Sequence, residues 1–108
     1  MQGWRWYAHH GGPGRPHSHL FIEEMPRFKI FIPRPMLNKD PIKLLYPEFE
    51  AVRLSDIEKL TQEEIAERMK TSRGTAWRLL ESGREKIARA IVESRPLIIA
   101  QEGELEKA

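Results

Sequence analysis

Apolar residues recur with helical spacing between Ala76 and Ile91, and no other feature constrains the chain as strongly. Ala76, Leu79, Leu80, Gly83, Ile87, Ala90 and Ile91 fall within one sector at about 100° per residue, with Arg78, Glu81 and Glu85 opposite. A helix patterned this way must bury one side. Ser72 can cap it through its hydroxyl and Pro96 stops it, so the spacing predicts a helix over about 72–94. Another helix precedes it. Thr61 and Glu64 form a Thr-x-x-Glu capping box, in which each side chain satisfies a free backbone N–H, and Ile65, Ala66 and Met69 form the buried stripe of a helix over about 61–70. Lys70-Thr71-Ser72 is left as a tight turn between the two.

Before these, Pro47 suits the first turn of a helix, where a missing N–H costs nothing. Phe49, Val52, Ile57 and Leu60 give a broad apolar side to a helix over about 47–59. Residues 1–18 are rich in Gly, Pro, His and aromatics and read as a flexible arm. Short β-like runs follow at 19–22, 28–32 and 42–45, broken by Pro26, Pro33, Pro35 and Pro41, and one more at 97–100. Residues 101–108 read as a frayed tail. The expected fold is mainly α: one helical domain over 19–100, with a small β element from the amino-terminal segment and the 97–100 strand.

Net charge is only +2, but its distribution is uneven. From Arg68 to Arg89 the chain carries seven bases (Arg68, Lys70, Arg73, Arg78, Arg84, Lys86 and Arg89) against Glu81 and Glu85. Acids crowd the segment just before, at Glu48, Glu50, Asp56, Glu58, Glu63, Glu64 and Glu67. A basic reading helix on an acidic scaffold has this layout. The first turn of the 72–94 helix has no carboxylate, so its positive end is open to an anion.

These pieces fit a helix-turn-helix. It needs a small residue where the helices cross, which Ala66 supplies, and apolar partners, which are Ile65 and Met69 on one helix and Ala76, Leu79 and Leu80 on the other. It needs a polar, basic start to its second helix, because those residues meet base edges and phosphates. Ser72, Arg73, Gly74, Thr75, Trp77 and Arg78 meet that need, and Arg84 extends the basic face. Arginine can hold guanine or phosphate by two hydrogen bonds.

The segment Leu60-Thr61-Gln62-Glu63-Glu64-Ile65-Ala66-Glu67-Arg68-Met69, followed by Thr71-Ser72-Arg73, resembles the fourth conserved domain of bacterial sigma factors. Together with Glu48 to Asp56 and Glu81 to Ala88, it resembles a small prokaryotic family of predicted DNA-binding proteins, domain of unknown function number 134, over about Gly14 to Ile99. The resemblance implies a sigma-like helix-turn-helix and a regulatory role. The family's turn often carries a glycine where this chain has Lys70, and its start is more basic than Arg15-Pro16-His17-Ser18.

Other chemistries find little support. There is no cysteine, so disulfides and thiolate metal sites are excluded, in keeping with a cytoplasmic setting. The longest purely apolar run is Leu97 to Ala100, far short of the ~20 residues a membrane span needs. His17 and His19 would share one strand face and so could bridge a metal, but no carboxylate or thiolate lies between them, and a polar tail is the simpler reading. Trp4, Arg5, Trp6 and Tyr7 are candidates for stacking on bases or on a partner. No phosphate loop, nucleophilic triad or paired-carboxylate pocket is evident, so no enzyme and no cofactor are expected.

The expectation is a sequence-specific transcription regulator acting on double-stranded DNA. A protein-interaction module that keeps the fold and binds RNA polymerase or itself is the alternative. A homodimer or higher oligomer is also expected, because one recognition helix reads few base pairs and the apolar strands at 28–32 and 97–100 need their edges covered.

Overall fold

The computed structural model describes residues 3–8 and 19–108. Its helices lie close to the spans the periodicity marks. The first, α1, is Tyr46–Val52, with Pro47 second rather than first, and it continues as a wider π turn over Arg53–Ile57. There the backbone N–H of Glu58 reaches the Arg53 carbonyl (3.0 Å) and that of Leu60 reaches Leu54 (3.0 Å). Next come α2, Gln62–Met69, and α3, Arg73–Val92.

The mainly-α expectation is overturned. Among the described residues six strands form two three-stranded sheets, so the chain is a mixed α/β protein. β1 (Trp4–Ala8), β2 (His19–Ile22) and β6 (Gly103–Lys107) form one sheet in the order β2-β1-β6, antiparallel throughout. β3 (Ile30–Phe31), β4 (Ile42–Leu45) and β5 (Leu97–Ala100) form the other in the order β3-β5-β4, with β4 and β5 parallel. All the helices therefore lie in the crossover between β4 and β5.

Two segments expected to be loose are strands instead. In the supposed arm, β1 is the middle strand of its sheet, and in the supposed tail, β6 flanks it. The cause is a long-range fit. Trp6 is buried, and its indole N–H donates to the Gln101 carbonyl (2.7 Å). Gly103 lies flat beneath that indole: a Cβ there would meet Trp6 Cε2 at 2.6 Å and the Tyr7 carbonyl at 2.4 Å. Arg5 pairs with Glu106 (3.0 Å) on the outer face. Trp6 is thus a core residue, not one free to stack on bases. Residues 9–18, including His17 and the rest of the expected arm, lie outside the described residues.

The edge argument for a dimer does not hold for 97–100, because β5 is the middle strand of its sheet, while β3 lies at an edge. β5 pairs with β3 on one side (Ile30 opposite Ile98) and β4 on the other (Leu44 opposite Ile99) within the same chain.

Three apolar clusters fill the interior. Ala51, Leu54, Ile65, Ala66, Met69, Ala76 and Leu80 join α1, α2 and α3. Ile42, Leu44, Ala90 and Leu97 join the parallel strands to the far end of α3. Trp6, Leu20 and Ile22 lie under the first sheet.

α1 ties these together through two buried carboxylates. Glu48 accepts from the Leu45 backbone N–H (2.8 Å), from Lys86 Nζ (2.8 Å) and from the Ser82 hydroxyl. Glu50, fully buried, takes two bonds from Arg53 (both 3.0 Å) and one from the Glu23 N–H (2.8 Å). Arg53 also meets the side chain of Glu23 (3.2 Å), which binds Arg68 of α2 (3.0 Å). The Arg53 guanidinium is held above the usual arginine range, first by its hydrogen bonds to Glu50.

Gly83 lets α1 and α3 meet. A Cβ at that position would lie 2.8 Å from Val52 Cγ2 and 3.0 Å from the Glu48 carbonyl oxygen. An alanine improves helix propensity by up to ~1 kcal/mol, but overpacking against backbone costs typically 1–3 kcal/mol. Gly83→Ala is therefore expected to lower stability in chemical denaturation. An unchanged or raised midpoint would show that the helices part without cost.

Candidate functional site

α2 and α3 are joined by Lys70, Thr71 and Ser72. Thr61 and Glu64 close the capping box at the start of α2: the Glu64 backbone N–H donates to the Thr61 hydroxyl (3.2 Å), and the Thr61 backbone N–H donates to the Glu64 carboxylate (2.8 Å). Lys70 ends α2 in the left-handed region, with φ 56° and ψ 49°. Such a conformation favours glycine. The Thr71 N–H turns back to the Ala66 carbonyl (2.9 Å). Ser72 then caps α3 by accepting from the Thr75 N–H (3.1 Å). Gln62 donates from α2 to the Arg73 carbonyl (3.3 Å), bracing the two helix starts against each other.

Beneath this turn, Ile65, Ala66, Met69, Ala76 and Leu80 are buried and Leu79 is half-buried. Leu79 packs against both the helical cluster and the cluster under the first sheet. These six residues therefore meet in one place.

Above it, Arg73, Gly74, Trp77 and Arg78 share the exposed side of the first turns of α3, and Trp77 is 42% exposed. Arg78 reaches back to the Thr75 hydroxyl (3.3 Å), which in turn accepts from the Ser72 hydroxyl (3.0 Å). A Cβ at Gly74 would meet only Arg78 Nη1, at 3.7 Å, so packing does not demand a glycine there.

The ion pairs divide the basic residues into two groups. Arg68 is bound to Glu23, Arg84 to Asp56 (2.6 Å), Lys86 to Glu48 and Arg89 to Glu85 and Glu93. Arg84 also donates to the Ser55 hydroxyl (3.1 Å), and its hydrogen bonds hold the Asp56 carboxyl below the usual carboxylate range. It sits three turns along α3 from Arg73, about 16 Å at 1.5 Å per residue. The structure therefore does not bring Arg84 to the group at the helix start. Lys70, Arg73 and Arg78 have no carboxylate partner among the described residues. Lys70 lies over the Phe21 ring (4.8 Å), and the first turn of α3 has no acid. Charge counting along the sequence could not separate the two groups, because the acids that neutralise Arg68, Arg84 and Lys86 come from other elements.

His19 is exposed on β2 beside the Tyr7 ring (5.3 Å). Among the described residues no three His, Cys, Asp or Glu gather in a way that could hold a metal. No helix among them is long and apolar enough to cross a membrane.

A mixed α/β chain with a capped helix-turn-helix pair and free cations at the start of its long helix is thus defined. The chain belongs to the family described as protein of unknown function DUF134, whose model matches residues 10–108. It is 48% identical over 95 residues to a UPF0251 protein of Pyrococcus furiosus, covering 85% of this chain and 88% of the relative. A UPF0251 protein of Archaeoglobus fulgidus is 36% identical over 94 residues, covering 87% and 90%. One from Halothermothrix orenii is 42% identical over 85 residues but covers only 63% of that longer relative. No solved structure is significantly similar.

The capping box carries a pH signature. The Thr61 backbone N–H, then its hydroxyl, hold the Glu64 carboxyl below the usual glutamate range. A carboxyl lowered on folding stabilises the native state above its unfolded value and loses that contribution as pH falls through the folded one. Glu64→Gln should therefore be less stable than wild type at neutral pH, with the gap closing in acid. A gap that stays constant with pH would show that the carboxylate charge contributes nothing.

Proposed function

We propose that this protein is a sequence-specific DNA-binding regulator, with α3 as its recognition helix. One observation carries the reading: of the cations on and beside α3, those at its capped start are left without carboxylates, while those farther along are neutralised within the fold. A cation locked to a carboxylate gains little from phosphate, whereas a free one at a helix start adds to the positive end of the helix dipole.

The roles follow from position. Arg73 and Arg78 reach base edges or phosphates, and Trp77, between them, stacks on sugar or touches a thymine methyl. Gly74 leaves the backbone bare for a phosphate, Ser72 and Thr75 hold the helix start in shape, and Lys70 contacts phosphate from the turn. Arg84 has no direct part. The proposal includes neither catalysis nor a cofactor, and the resemblance to the fourth sigma-factor domain supports it at the level of the helix-turn-helix. Residence in the cytoplasm, beside the DNA, is part of the same reading. An interaction module for RNA polymerase has no comparable observation in its favour.

The test is selection of bound fragments from random double-stranded DNA, followed by titration of the selected site. Arg73→Ala is expected to weaken binding by about 1–3 kcal/mol and to relax preference at one base pair. Equal weakening on every sequence would make Arg73 a phosphate contact. Failure to enrich any sequence would remove the proposal.

A further inference from the structure

The far end of α3 holds a second surface, unconnected with the basic one. A groove of about 620 Å³ lies between the Phe28–Pro33 segment on one wall and Phe49, Val52, Ile57, Ile87 and Ile91 on the other. Phe28 anchors its floor, packing on Phe31 (4.8 Å between rings) and Phe49 (6.3 Å). Its apolar rim is unusually open to water: Phe31 is 61% exposed, Ile32 59%, Ile57 73% and Ile91 75%.

We infer that this groove is the contact surface between two copies of the chain. The rim is one argument. Those four side chains together leave on the order of 500 Å² of apolar surface in water, near the upper end of what a monomer carries as one patch. Leu37 (76% exposed) lies near them at the end of α3, its backbone N–H bound to the Ser94 carbonyl (3.1 Å). With it the apolar area reaches the ~600 Å² per partner at the lower end of a standard interface. A small ligand seated in the groove would cover its floor but leave Leu37 wet.

Shape points the same way. A two-fold contact needs projecting and hollow features on one patch, since the same surface meets itself. Here Phe31, Ile32 and Ile91 project at the edge of the hollow. The contact leaves Arg73, about 27 Å along the helix from Ile91, clear of the interface on both copies. It therefore stands or falls independently of DNA binding.

The experiment is light scattering or sedimentation of the whole chain without DNA, from about 1 to 100 μM. The 12.7 kDa chain is expected to show twice that mass at the upper end. Phe31→Glu and Ile91→Glu, at exposed positions outside the buried core, should each give the monomer mass with an unchanged circular dichroism spectrum, while Trp77→Glu at the other end of α3 stays dimeric. A wild-type monomer across the whole range would overturn the inference and leave the groove to another kind of partner. Dimers that persist in both groove variants would overturn the location.

Discussion

The arrangement rests on the short helix α1, and on its carrying two carboxylates into the interior. Burying a charge is costly unless it is paired and hydrogen-bonded, and both are. Glu48 answers the backbone where β4 ends and binds Ser82 and Lys86 on α3. Glu50 grips Arg53 and the Glu23 N–H, just past β2. Through Glu23 the network reaches Arg68 on α2. Every helix and both sheets are thus held by groups that leave no buried side-chain polar atom unsatisfied among the described residues. Breaking such a pair from one side leaves an uncompensated charge, typically a loss of 3–5 kcal/mol, so α1 fixes the other elements in register.

That network also sorts the basic residues. Arg68 and Lys86 are consumed in holding α1, and Arg84 in holding the π turn through Asp56. The remainder at the α2–α3 turn, Lys70, Arg73 and Arg78, have no carboxylate partner among the described residues. Scaffold and proposed reading surface are therefore two outcomes of one charge distribution.

Much of the helical part was legible because its signals are local. Thr61 and Glu64 lie three residues apart, and Ser72 caps the residues right after it. The stripe from Ala76 to Ile91 repeats over about four turns, so its period is unmistakable. What escaped was non-local. β1 and β6 are separated by nearly the whole chain, and what makes them strands is the fit of Trp6 on Gly103, which no local pattern announces. Two-residue alternation in Trp4-Arg5-Trp6 is too short to stand apart from an aromatic-rich arm. Glu48 and Glu50 look like part of a solvated acidic face, since sequence shows that they are charged but not that Lys86, Ser82 and Arg53 await them. For the same reason the sequence alone groups Arg84 with the cations at the start of α3, since Asp56, which binds it, lies on another element.

The central claim is that the free cations at the start of α3, and not the locked ones, meet DNA. The salt dependence of binding measures it directly, because each phosphate contact releases counterions and steepens the fall of log affinity with log salt. Lys70→Ala, Arg73→Ala and Arg78→Ala should each flatten that slope, by about 1 for a phosphate contact, while Arg84→Ala and Arg89→Ala leave it as in wild type. A slope that flattens for Arg84→Ala and Arg89→Ala but not for the other three would contradict the account.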